Sequence, residues 1–176
     1  MPTTTSERQR AVTDATVWID LQRAGLVEHA FGLSLDFLAP DLVLEELGAQ
    51  LAQAVRKLGL IEVELDGPGI GRLLELAGRH PRAGRRDLSA LVIAEERRML
   101  LLTGDKALRQ AAETAGLEVH GTLWILNMMV DSGVLNGSRA AQALDTIVAS
   151  GTWLPSRECG QMRRRWLQQG KDGHNR

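Results

Sequence analysis

A single cysteine, Cys159, is present in 176 residues. No intrachain disulfide can form, and such a chain is expected in a reducing compartment. Neither charge is in surplus: 21 Lys and Arg against 22 Asp and Glu leave a formal net charge of −1. That excludes a global basic field, so contact with nucleic acid must rest on local basic clusters or on metal ions. No apolar run approaches the roughly 18 residues of a membrane span. The opening MPTTTSERQR is polar and has no apolar signal core. These absences lead to the expectation of a soluble, cytoplasmic protein without membrane contact. His29, His80, His120 and His174 are scattered, and no two have the spacing of zinc ligands. GPGIG, residues 67–71, lacks the Lys-[Ser/Thr] that would complete a phosphate loop and reads as a turn. There is no internal repeat, low-complexity tract or interdomain linker.

What is present suits one domain around one core. Hydrophobic residues make up 44% of the chain, too many for a disordered one. Short apolar segments alternate with segments of helical period. Ala11–Thr13 and LDFLAP, 35–40, read as strands, and Val17, Leu21 and Leu26 between them are spaced for a helix. Pro40 can open the next helix. That helix is expected to run unbroken through DLVLEELGAQLAQAVRKLG, with Val43, Leu44, Leu47, Leu51, Val55 and Leu58 as its stripe. LIEVEL is a third strand, followed by the GPGIG turn, a short helix in GRLLELAGRH and a loop in PRAGRR. DLSALVIAEERR is helical, and MLLLTGD is the most apolar strand and expected to be central. KALRQAAETAG is a helix closed by Gly116, and LEVHG is a short strand. Three helical segments end the chain, and residues 170–176 are expected to fray. Alternating strands and helices imply βα units, hence an α/β fold whose mostly parallel sheet is covered on both faces.

Ligands of open parallel sheets bind beyond the carboxyl ends of the strands. Asp14 follows AVT, and Asp105 follows LLLTG; Asp87 opens a helix, and Glu45-Glu46 lies early in another. Each acid has an ordinary structural use, as an N-cap for Asp14 and Asp105, a complement to a helix dipole for Asp87, or a solvated face for Glu45 and Glu46. If the four positions converge, the carboxylates repel and raise one another's pKa. Mg²⁺ or Mn²⁺, which prefer oxygen ligands, would remove that conflict. Two such ions about 4 Å apart can stabilise both the attacking and the leaving oxygen of a phosphodiester.

The order of these segments resembles the PIN-domain ribonucleases, especially toxins of the VapC type. DATVWIDL is similar to the family's opening, APDLVLEEL to its segment with an acid before leucine, and RRDLSALVIAEERRMLLLTGDKALR to its third and fourth acids. The similarity covers roughly Val12 to Gly121. GTLWILNMMVDSGVL is similar to a C-terminal segment of some PIN proteins, and nothing from Asn136 onward matches a known pattern. The resemblance implies a three-layer α/β/α fold, with a nuclease domain over residues 10–135 and a helical extension over 136–169 packed on it. It further implies Mg²⁺- or Mn²⁺-dependent cleavage of RNA by a toxin that an antitoxin neutralises. Carried over residue by residue, Asp14, Glu46, Asp87 and Asp105 would be catalytic and hold the metal. Thr103 and Thr16 would orient carboxylates or the attacking water. Glu46 is favoured because leucine follows it, with Glu45 its rival. Thr16 stands where the family commonly has asparagine.

Of the remaining features, Arg85-Arg86 beside Asp87 is a candidate phosphate contact, and Arg163–Arg165 beside Trp166 reads as a solvated face. Cys159 is expected to pack, as are Trp124, Met128 and Met129, in the core or against a partner helix. The segments Thr122–Val134 and Ser138–Ser150 carry more apolar residues than a small sheet needs. A homodimer or an antitoxin helix is therefore expected over them. The competing reading is a non-catalytic PIN-like module for RNA binding. An α/β phosphatase or response-regulator-like domain fits less well, because the lysine and threonine positions it needs are missing.

Overall fold

A computed structural model describes residues 8–172. Five strands, β1 (Gln9–Thr13), β2 (Leu35–Pro40), β3 (Ile61–Val63), β4 (Leu100–Leu102) and β5 (Val119–His120), form one sheet in the order β3-β2-β1-β4-β5. All four pairings are parallel. The middle strand is therefore β1, with the apolar β4 beside it and Thr13 in register with Leu102. From β1 the chain steps outward through β2 to β3, then returns to the other side of β1. Parallel crossovers are right-handed, so this reversal puts the helices of the two halves on opposite faces. The fold is the expected α/β architecture, an all-parallel sheet flanked by helices.

One layer begins with α1 (Ala15–Arg23) and α2 (Val27–Ala30) and continues through α3 (Asp41–Glu46) and α4 (Gly48–Leu58). The other contains α5 (Gly67–Arg79), α6 (Arg85–Arg97) and α7 (Lys106–Thr114). The last helices, α8 (Thr122–Asp131) and α9 (Gly137–Ala149), pack with α1, and α10 (Ser156–Asp172) lies along α9. Trp18 is the pivot of the first layer. It stacks on Phe31 with centroids 5.4 Å apart and meets Phe37 edge-on at 5.2 Å. Its indole N–H donates to Thr13 Oγ1 at 2.8 Å. The same hydroxyl donates to the Leu38 carbonyl at 3.3 Å. A buried aromatic with its polar edge satisfied thus fixes α1 against β1 and β2.

Several elements differ from the sequence reading. The helix expected over residues 41–59 is broken after Glu46, where Gly48 takes a left-handed φ of 74°. GPGIG is no free turn but the start of α5: Asp66 caps it by accepting from the Gly69 N–H at 2.8 Å, and Pro68 fits a first turn. Leu26 lies beyond the end of α1, although it is buried as expected. Many of the apolar residues of α8 and α9 are taken up within the chain, though Val148 stays 49% exposed. Ile125, Leu126, Met129, Ala140, Ala143, Leu144 and Ile147 are buried, and α10 brings the buried Cys159 and Trp166 against them. The chain's own last helix thus takes up part of the apolar surface on which the expected partner rested. The backbone of α10 continues to Asp172, and the remainder of the expected tail, 173–176, lies outside the described residues. No described helix is long and apolar enough to cross a membrane.

Candidate active site

Beyond the carboxyl ends of β1 and β4 the order of the strands reverses, which is where open α/β sheets hold ligands. Asp14 stands at this point. It caps α1, accepting from the Val17 N–H at 3.3 Å, while its own N–H pairs with the Leu102 carbonyl at 3.1 Å. The capping role and the place at the switch point therefore belong to one residue. Its side chain is fully buried, and both carboxylate oxygens are held. The Thr16 hydroxyl donates to Oδ1 at 2.7 Å, and the Thr103 hydroxyl donates to Oδ2. Each hydroxyl also accepts a backbone N–H from the turn after β4, Gly104 to Thr16 at 2.7 Å and Asp105 to Thr103 at 2.9 Å. The backbone thus supplies one proton to each hydroxyl, leaving the hydroxyl's own proton for Asp14. The clamp requires glycine at 104, since a Cβ there would stand 2.9 Å from Thr16 Oγ1.

The other acids arrive from three different elements. Asp105 caps α7, accepting from the Leu108 N–H at 2.6 Å. Asp87 lies in the first turn of α6 and reaches back to the backbone N–H of Gly84, the helix N-cap. Glu46 is exposed and is the last residue of α3. Burial pushes the Asp87 carboxyl up to about 7, and the charges of Asp14, Glu46 and Asp105 push it the same way. Burial also pushes Asp14 up to about 6, although its bonds from Thr103, Thr16 and Val17 pull downward. The charge of Asp105 adds to that rise. The four positions therefore occupy one electrostatic neighbourhood. Glu45 is exposed and stands 3.8 Å from Arg86, and of the two glutamates it is Glu46 whose charge acts on Asp87.

Among the described residues, no three His, Cys, Asp or Glu side chains come close enough to close around one ion. The chemistry of the four acids nevertheless suits a hard cation. They offer oxygen ligands, and two of them are disfavoured as anions by burial and by their neighbours. Mg²⁺ commonly takes one or two carboxylates and keeps water in the rest of its shell, so the fit does not require three direct ligands.

Sequence reasoning missed Asp20. It is 2% exposed and accepts from Thr122 Oγ1 at 2.9 Å and from Thr152 Oγ1 at 2.7 Å. It thereby ties α1 to the start of α8 and to the loop between α9 and α10. The signal was available: Asp20 falls on the apolar stripe of α1 with Val17 and Leu21, a place where acids are rare unless partnered. Arg163 and Arg165 pair with Asp145 and Asp131 at 3.2 and 3.1 Å, which makes that cluster an ion-paired surface. Arg85 and Arg86 are exposed beside Asp87.

A family model described as PIN domain (DUF3368) matches residues 10–168. The match takes in all four acids and also α9 and most of α10, where no motif was recognised. PIN domains are typically nucleases and generally use divalent metal ions. No curated protein matches the chain.

Proposed function

The chain belongs to the PIN-domain family, and we propose that it is a metal-dependent endoribonuclease, the toxin of a toxin–antitoxin pair. One observation carries the nuclease reading. Asp87, on α6, is raised first by burial and then by the charges of Asp14, Glu46 and Asp105, which come from different elements around the switch point of the sheet. Capping accounts for Asp14 and Asp105 singly, but not for carboxylates of several elements acting on Asp87. Asp14, Glu46, Asp87 and Asp105 would hold Mg²⁺ or Mn²⁺, which, when bound, stabilises charge on the reacting phosphodiester and makes water a competent nucleophile. Thr16 and Thr103 fix the carboxylate plane of Asp14, so no reorganisation is needed when substrate arrives. Arg85 and Arg86 are placed to meet backbone phosphates next to Asp87.

Attack by water does not use the 2′-hydroxyl, so the products should carry a 5′-phosphate and a 3′-hydroxyl. Purified protein, single-stranded RNA, Mg²⁺ or EDTA, and end-group analysis make the test. Cyclic phosphate ends, or full activity in EDTA, would overturn the mechanism. The separation of the acids favours a second reading, a PIN-like module that binds RNA without cutting it. Tight binding with no cleavage in either Mg²⁺ or Mn²⁺ would select it. The toxin role is supported by the resemblance of the motifs to VapC-type proteins. A second copy or an antitoxin helix would dock over residues 122–134 and 138–150, where Val148 stays exposed. Size exclusion with and without the product of the neighbouring gene tests that partner.

A further inference from the structure

A cavity of about 380 Å³ opens beside the acid cluster. Thr103 and Gly104, both part of the clamp on Asp14, line one part of it, and Trp124, Trp153, Leu154 and Met162 line much of the rest. Beyond the ends of β4 and β5, the same strand ends that carry Asp105, this is the part of the molecule the nuclease reading leaves without a task.

The walls are aromatic and held in place. Trp124 lies parallel to His120, the rings 4.4 Å apart and 3° from coplanar, and both are half-buried. Trp153 is 62% exposed, an unusual outlay for the largest side chain in a surface loop. Its loop is nevertheless fixed, because the neighbouring Thr152 donates to the buried Asp20 at 2.7 Å. The Lys106 ammonium stands 5.5 Å from the Trp153 ring centroid and follows Asp105 directly in the chain. Indole faces, one of them with a cation over it, next to the proposed cleavage site, match an unpaired nucleotide: base against the open indole face, phosphate toward ammonium. The volume is at the small end of ligand sites, roughly 300–1,000 Å³, which is room for one base and its sugar but not for a duplex.

We propose that this cavity binds one unpaired nucleobase of the RNA strand whose backbone passes over the acid cluster. The inference rests on the nuclease reading and adds to it a site for one base, apart from the four acids. Trp153 and Trp124 are the stacking surface, and Lys106 contacts the adjoining phosphate.

Binding is measured in EDTA, where cleavage cannot interfere, by anisotropy of a fluorescein-labelled homopolymeric RNA 12-mer. Trp153→Ala should weaken binding roughly tenfold, with Trp153→Phe recovering most of it, as expected for one stacked base. A 12-mer with its bases removed should bind the parent and Trp153→Ala alike, since the lost partner is then missing from both sides of the cycle. Lys106→Gln should weaken intact and abasic RNA equally, as a phosphate contact does. Trp18 and Trp166 are fully buried, so quenching of tryptophan emission by RNA reports on Trp124 and Trp153. Unchanged affinity in Trp153→Ala, an equal loss for abasic RNA, or binding without quenching would each overturn the proposal. If cleavage in Mg²⁺ is intact while Trp153 is indifferent, the base site alone is wrong. Trp153-dependent binding without cleavage in Mg²⁺ or Mn²⁺ would support the base site and reject the nuclease.

Discussion

At the scale of the residue, Asp14 is expensive to the fold. Its folded pKa lies near 6 against an ordinary 3.8, so the folded state holds its proton more tightly than the unfolded chain. Stability contributed this way falls as pH rises between the two values, and the penalty is complete above the upper one. Asp87, pushed up to about 7, adds a penalty of the same sign at slightly higher pH. In chelator, the melting temperature should therefore fall between about pH 4 and 7.5, the reverse of the usual behaviour of paired carboxylates. For Asp14 the full penalty is about 3 kcal/mol, taking 1.36 kcal/mol per unit. Asp14→Asn should show a shallower slope of melting temperature against pH than the parent, because it also removes a charge acting on Asp87. A parent protein whose stability rises over this range would contradict the burial argument. Gly104 belongs to the same scale. Gly104→Ala puts a methyl 2.9 Å from Thr16 Oγ1 and should displace one of the two hydroxyls that hold Asp14. A hydrogen bond to a charged group is worth about 1.5–3 kcal/mol, so cleavage should slow roughly tenfold or more while circular dichroism is unchanged.

At the scale of the element, what could be read from the chain and what could not divide along physical lines. Asp14, Asp87 and Asp105 follow or open elements whose boundaries have local signals, a strand meeting a cap, and these boundaries came out within two residues. Glu46 depends on a break that periodicity hides. The stripe Val43, Leu44, Leu47, Leu51, Val55 continues across Leu47-Gly48 as though one helix ran through. Only the left-handed φ of 74° at Gly48 ends α3 and leaves Glu46 at its tip, with Glu45 turned toward Arg86. GPGIG misled for the opposite reason: glycines suggested a turn, whereas Asp66 and Pro68 supply a cap and a first-turn proline that outweigh them. The break makes a test. Glu46→Gln should cost about two orders of magnitude in cleavage rate, or ~2.7 kcal/mol, and Glu45→Gln should cost almost nothing. Gly48→Ala forces a Cβ into the left-handed region, a strain of about 1–2 kcal/mol, and should lower both the melting temperature and the activity. Equal losses in the two glutamine variants would mean that α3 does not set the choice of acid.

At the scale of the whole molecule, alternating periods were enough to read a parallel α/β sheet, but not its strand order. That order depends on which edge each crossover chooses, and it is the reversal after β3 that sets β1 beside β4 and brings Asp14 and Asp105 to the ends of adjacent strands. The raised carboxylates of Asp14 and Asp87 lead to the last prediction. Mg²⁺ or Mn²⁺ binding the folded state alone should stabilise it by about 2.7 kcal/mol at a hundredfold excess over Kd. For a chain of this size that is a rise of roughly 5–10 °C in melting temperature. Ligands must lose their protons to bind, and burial raises Asp14 to about 6 and Asp87 to about 7. The rise should therefore be small at pH 5.5 and large at pH 8, in step with the growing penalty on the metal-free form. In Asp14→Asn most of it should vanish at every pH. A rise of the same size in both proteins would place the ion elsewhere, and one that ignores pH would mean that these carboxylates are not what it binds.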